Sequence, residues 1–288
     1  MARTNAISIL SGASTAATLS ELYGLVVDNV QKRMLSSRLK SQAYTGNPAA
    51  GSVEFKRFAN ATAKAYGTAR TAGKGDKLTA PPVTVALDQH KEIVEEIAQF
   101  DLDTFGVTDI MSRRAANHTQ VMQSTLDKAF FTEAITGGTA FTPATGVTAI
   151  EDIVESMIQT LESTSNSYVD GVERDTMDLV LSPAKYGELR KYLDKLADSQ
   201  ANSAAEETRL YHGVRVHSCI HLPANTNAIL MVNGAIAQPV VTHEYSNPEK
   251  IPLSNDYGVS LFFDYGTKTL AGELVLKWVT TTTPSQGG

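Results

Sequence analysis

The chain has 288 residues, a formal charge of −6 and 42% hydrophobic residues, ordinary composition for globular material and enough length for one large or two modest domains. The single Cys219 excludes an internal disulfide, and no run approaches the roughly 18 apolar residues of a membrane span. The acidic balance argues against tight nucleic-acid binding, which rests on phosphate neutralisation by Lys and Arg, and the apolar run AISIL near the start is too short for a signal-peptide core, which points to a cytoplasm-like setting.

Residues 1–15, rich in Ala, Ser and Thr, read as a flexible arm. From about Ser20, Leu22, Val26, Val30 and Met34 recur at four-residue steps and predict an amphipathic helix. SQAYTGNPAAGS is loop chemistry. Residues 53–86 carry strand-like ends, VEFKRFA and VTVAL, around a Gly/Lys tip, which predicts a long hairpin or extended loop. A loop of this length with little apolar content buries no core of its own, so it is either disordered or lies against something else.

The tip, GTARTAGKGDK (67–77), looks like a phosphate cradle and fails as one. Five residues separate Gly67 from Gly73 where the pattern needs four, and Gly75 stands where a Ser or Thr hydroxyl should hold magnesium. No buried strand precedes it, and Pro81-Pro82 argues against a helix opening behind it. What the region does carry is charge. Six basic residues (Lys56, Arg57, Lys64, Arg70, Lys74, Lys77) face two acidic ones, and the balance then reverses to seven acids (Asp88, Glu92, Glu95, Glu96, Asp101, Asp103, Asp109) against Lys91. Either these are two solvated faces, or the basic segment lies on an acidic surface of the same chain or of a neighbouring copy.

A long helix is predicted over about Thr108–Thr136, capped by Thr108 or Asp109, ended by Gly137-Gly138 and free of internal Pro or Gly. Met111, Ala115, His118, Met122, Leu126 and Ala129 form its apolar stripe. At about 43 Å such a helix spans a domain and suits a scaffold role. From residue 147 helices and strands alternate: TAIEDIVESMIQTLESTS is a helix, MDLVLSP a buried strand, PAKYGELRKYLDKL a helix, GVRVHSCIHLP a strand, and NAILMVNGAIAQPVV a strand pair or a strand and a bend. This order indicates an α/β unit around a central sheet. SLFFDYGTKTLAGELVLKW reads as two strands bent near Gly266, and the final residues as a disordered tail.

Candidate chemistry is thin. His217, Cys219 and His221 on one strand would be about 7 Å apart in succession, so the two histidines cannot share one ion. A Cys219–His nucleophilic pair competes with the commoner role of a lone cysteine as a small buried apolar residue. Asp127 and Glu133 are out of phase as an acid/base pair, and His118 sits in the apolar stripe as a packing residue. With no hydrolase, metalloprotease or dinucleotide motif, no catalytic, metal or cofactor site is expected, and the chain is read as a non-enzyme.

The segments VTVALDQHKEIVEEIAQFDLDTFGV, ANHTQVMQSTLDKAFF, GVRVHSCIHLPANTNAILMVNGAIAQPV and FFDYGTKTLAGELVLKW, in this order, resemble the major capsid proteins of tailed bacteriophages, the Hong Kong 97 fold family. That family has a conspicuous Asp near the position of Asp127. The resemblance, over roughly residues 20–280, implies an α+β fold: an N-terminal arm with its helix (1–48), an extended β-hairpin loop (49–86), a peripheral domain (87–146 and 262–280) with a spine helix near 108–136, an axial α/β domain (147–261), and a tail (281–288). It further implies a structural subunit that assembles as hexamers and pentamers into an icosahedral shell around double-stranded DNA, built in the host cytoplasm and residing in the virion. Expected partners are other copies, a separate scaffolding protein (only about 20 residues precede the first helix), a portal and a decoration protein; DNA is touched weakly and non-specifically, and no membrane is involved. The loop's Lys56, Arg57, Lys64, Arg70, Lys74 and Lys77 would then meet Asp88, Glu92, Glu95, Glu96, Asp101 and Asp103 of a neighbour. Some relatives crosslink this loop through a Lys–Asn bond; nothing selects Lys64, Lys74 or Lys77 for it, and it is taken as absent. Two other readings stay open: an encapsulin-type bacterial compartment of the same fold, and a cytosolic α/β enzyme using Cys219 or the glycine-rich segment.

Overall fold

The computed structural model describes residues 34–280 except 69–70, 72, 100–106, 196–209 and 244–248. The N-terminal arm and the helix expected from Ser20, with Leu22, Val26 and Val30, lie outside the described residues, as do Arg70, Asp101, Asp103 and the tail 281–288.

In chain order, α1 (Ser36–Leu39) leads to a hairpin of β1 (Ser52–Lys56) and β2 (Pro82–Ala86), then β3 (Gln89–Ile97), α2 (Val107–Gly137), β4 (Thr139–Ala140) and α3 (Ile150–Glu162). Next come β5 (Met177–Leu181), α4 (Pro183–Leu193), β6 (Leu210–Tyr211) and β7 (Val214–Ser218). The chain closes with β8 (Thr226–Val232), β9 (Ile236–Ala237), β10 (Val240–Thr242), β11 (Glu249–Lys250), β12 (Tyr257–Tyr265), β13 (Lys268–Thr269) and β14 (Val275–Val279).

Helix α2 runs 31 residues, roughly 46 Å at 1.5 Å per residue. The stripe continues as expected through His118, Met122 and Leu126, all buried, but then passes to Phe130, Phe131 and Ala134 while Ala129 is half-buried. Steps of four advance about 400°, some 40° past a turn, so the buried side winds around the helix. The winding has a cause in packing: the first half faces β3, through Glu95, and the second half faces a different sheet, through Phe130, Phe131 and Ala134.

That second sheet has six strands in the order β4-β14-β8-β5-β7-β6. All five residues of β5 are buried, as in a central strand covered on both faces, and the one charged residue among them, Asp178, is paired with His217 and Arg215. Met177, Leu179 and Leu181 point to α3 and α4, meeting Ile153, Val154, Met157, Ile158, Leu161, Leu189 and Leu193. Val180, Ile229, Met231 and Val275 point the other way, to α2 and to Leu39 of α1. Each large apolar side chain buried here contributes about 1.5–3 kcal/mol. Helix α4 starts where the sequence demands: Ser182 accepts from Lys185 N at 3.4 Å and Pro183 occupies the first turn.

A four-stranded antiparallel sheet lies at the other end of α2. β3 and β12 pair along their whole length, from Tyr257 opposite Ile97 to Tyr265 opposite Gln89, and β10 and β11 share the far edge of β12. Two expectations differ here. The division that assigns 262–280 to the peripheral unit is split, because β12 belongs to this sheet whereas β14 pairs with β8 in the six-stranded one, Leu276 opposite Leu230. The apolar run VLKWV predicts a strand but carries no information about its partner. The strand GVRVHSCIHLP also stops at Ser218; Cys219 to Asn225 form the turn into β8, with Asn225 at φ +62°.

Candidate functional site

The hairpin of β1 and β2 is anchored at its base and unsupported beyond it. Val53, Phe55 and Val85 pack on Ala237 and Leu270, and Tyr44 lies 5.9 Å from Phe55. Gly266 is required there, because a Cβ would fall 1.8 Å from the Ala86 carbonyl oxygen. Past Ala59, whose N–H donates to Thr79 O at 3.2 Å, every described residue from Ala61 to Thr79 is exposed. The arm nonetheless carries apolar groups: Phe58, Tyr66 and Leu78 are 56%, 100% and 69% exposed. Gly67 and Gly73 at its tip have positive φ, a backbone state that glycine adopts without steric penalty.

The basic residues of the arm divide into two groups. Lys56, Lys74 and Lys77 are exposed. Arg57 instead pairs with Glu273 and stacks 4.6 Å over the Tyr168 ring, and Lys64 pairs with Asp76 across the arm. These two have partners within their own subunit.

The acidic residues divide by strand alternation. The register of β3 on β12 sets His90, Glu92, Val94 and Glu96 on the same side as Ser260, Phe262 and Asp264. This outer face has Val94 and Phe262 exposed at its centre, with Glu92 and Glu96 beside them and Asp88 just before the strand. Asp264 is held between two histidines, His90 Nδ1 at 2.7 Å and His243 Nε2 at 2.9 Å, and hydrogen bonds from His243 and then His90 keep its carboxyl below the usual carboxylate range. Glu95 points the opposite way. It accepts from Arg114 Nε at 2.6 Å and lies 3.0 Å from His118 Nε2; the Arg114 contact, then His118, lowers its pKa against the effect of burial. Glu95 thus fastens β3 to α2 and is not part of the outer face. The His90–Asp264–His243 group was missed from sequence because its members lie on two strands and just past the end of a third. The period-2 alternation in QHKEIVEEI could have separated Glu95 from Glu92 and Glu96.

The remaining titratable groups do structural work. Cys219 is buried and its thiol is pushed up to about 11 by that burial, so it is protonated at neutral pH and a poor nucleophile. His217 bonds Asp178 at 2.7 Å. Asp127 accepts from Leu35 and Ser36 N–H, and Glu133 accepts from Thr269 N at 2.8 Å. Among the described residues no three His, Cys, Asp or Glu side chains are grouped to hold a metal ion, and no helix is long and apolar enough to cross a membrane.

The arrangement combines a projecting basic and apolar arm with an acidic sheet face that has an apolar centre. Solved structures of similar fold come from phages and a virus-like particle. A chain from Mycobacterium phage Che8 is 16% identical, covering 83% of this chain and 93% of that one at a TM-score of 0.60. The capsid of the cyanophage P-SCSP1u gives 0.63 at 11% identity over 85% and 88%. A virus-like particle from Pyrococcus furiosus gives 0.55 at 13% identity over 90% and 97%. The chain has the Hong Kong 97 capsid fold. These likenesses cover 83–90% of the chain, more than the six-stranded sheet and its helices alone. No protein-family model and no curated protein matches this sequence.

Proposed function

We propose that this protein is a phage major capsid subunit: copies assemble as hexamers and pentamers into an icosahedral shell that encloses double-stranded DNA in the virion. The observation that carries the reading is the Hong Kong 97 fold over most of the chain, with similar solved structures from a phage, a cyanophage capsid and a virus-like particle. In this reading α2 is the spine helix, the hairpin arm the extended loop, the four-stranded sheet the peripheral domain and the six-stranded sheet the axial domain.

The arm lies on the outer face of β3 and β12 of a neighbouring copy. Lys56, Lys74 and Lys77 meet Asp88, Glu92 and Glu96, while Tyr66 and Leu78 cover Val94 and Phe262. Single exposed ion pairs contribute at most about 1 kcal/mol, and repetition around a closed shell makes such contacts act together. A scaffolding protein, a portal and a decoration protein complete the particle, assembly takes place in the host cytoplasm, and the acidic subunit touches DNA only weakly.

A second reading, an encapsulin-type compartment, is favoured by the likeness to the Pyrococcus furiosus virus-like particle. Light scattering on the purified protein tests the shared claim: particles of megadalton mass are expected, and a monomer at every concentration overturns both readings. Particles recovered from the native source separate them, since nuclease-protected DNA supports the capsid and enclosed protein cargo supports the compartment.

A further inference from the structure

Where the arm leaves the subunit, it is gripped by a loop of the α/β unit. Arg57 follows β1 immediately, pairs with Glu273 and sits over the Tyr168 ring, its Cζ 4.6 Å from the ring centroid. Asn166 Nδ2 donates to the same Glu273 oxygen at 3.2 Å, while its Oδ1 accepts from Tyr168 N at 2.8 Å and Val169 N at 3.0 Å, which shapes the 166–169 turn. One step further along the arm, Asn60 N donates to Ser167 O at 2.8 Å. On the returning strand Lys268 Nζ donates to Thr84 O at 3.0 Å.

We propose that Arg57, Glu273, Asn166 and Tyr168 form a clasp that fixes the direction in which the arm projects, so that Arg57 is a positioning residue acting within its own subunit. Three features argue for direction over stability. First, beyond the clasp no described residue of the arm is buried to orient it, and a two-stranded hairpin alone is marginal. Second, the ion pair is part-exposed and Arg57 Nη2 is buried without an acceptor, an unmet donor that offsets much of what such a pair returns. Third, the guanidinium is held at once by a carboxylate and a ring face, a planar geometry that lysine does not reproduce. Glu273 sits in the one-turn segment Gly272–Leu274, and Gly272 packs against the Gly137 carbonyl at the end of α2. The clasp therefore joins the root of the arm to the end of the long helix. A small rotation at Arg57 swings a tip whose every described residue is exposed.

The consequence for assembly rests on the shell-subunit reading; the clasp itself does not. Spin labels at Ala65→Cys and Ser156→Cys, with native Cys219 buried, report the distance between arm and α/β unit in unassembled protein. The expected result is a narrow distribution in the parent and a broad one in Arg57→Ala and Glu273→Ala, with melting temperature unchanged, and narrowing restored in part by the swap R57E/E273R. Assembly of Arg57→Ala should lose most closed particles, and Arg57→Lys should be intermediate. An unchanged distance distribution in Arg57→Ala, or a lowered melting temperature that the swap does not rescue, overturns the clasp. If the parent forms no particles the shell reading fails, and the distance measurement still decides the clasp.

Discussion

Asp127 is 1% exposed on the middle of α2 and receives the backbone N–H groups of Leu35 at 3.4 Å and Ser36 at 3.0 Å. It pins the start of α1 to the long helix across 91 and 92 positions of sequence. Removing it leaves two donors without an acceptor, so Asp127→Ala should destabilise the subunit by about 1–3 kcal/mol in urea unfolding, and Asp127→Asn, which keeps one acceptor, by less. Gly266 is a steric requirement of another kind. Gly266→Ala puts a methyl against the Ala86 carbonyl, and the overpacking should cost about 1–3 kcal/mol and loosen the hairpin base. A third case is pH. Arg174 holds the Glu155 carboxyl down to about 2 against burial, with help from His212. The folded pKa lies below the ordinary 4.5, so this contribution is complete above pH 4.5 and is lost as pH falls toward 2. Thermal melts between pH 5 and 2 should therefore fall more steeply in the parent than in Glu155→Gln; equal slopes would remove Glu155 from the account.

At the scale of elements, the two features that matter most are β3 and the arm, and the sequence revealed them unequally. Charge counting along 88–103 finds an acidic segment but treats Glu92, Glu95 and Glu96 alike. Only the strand register sends Glu95 to Arg114 and His118 and leaves the other two outside. In the same way the basic count cannot tell Lys74 and Lys77, which are exposed, from Arg57 and Lys64, which are paired in their own chain. Pairing over long separations, such as Arg57 with Glu273, leaves no local trace in the chain. Reversal of Lys74 and Lys77 to Glu should impair assembly while the circular dichroism of the subunit is unchanged. Glu92→Lys with Glu96→Lys on the opposing face should restore it in combination. Normal assembly by the Lys74/Lys77 variant would show that the arm docks without these charges.

For the whole molecule, the long uninterrupted helix, the alternating α/β elements and the unsupported Gly/Lys hairpin were all legible, because each rests on local periodicity or on Gly and Pro punctuation. The assignment of the last strand was not, since Val275–Val279 reads equally well in either sheet and its pairing with β8 is settled by tertiary contacts. The division of α2 between two sheets was hidden for the same reason. In the proposed reading, the arm of one copy is complementary in charge and apolar surface to the outer sheet face of another. Electron microscopy of the purified chain tests this most directly. The account predicts closed particles with five-fold and six-fold clusters, each arm lying over β3 and β12 of the adjacent subunit; a discrete monomer, or a particle whose arms fold back on their own subunit, would contradict it.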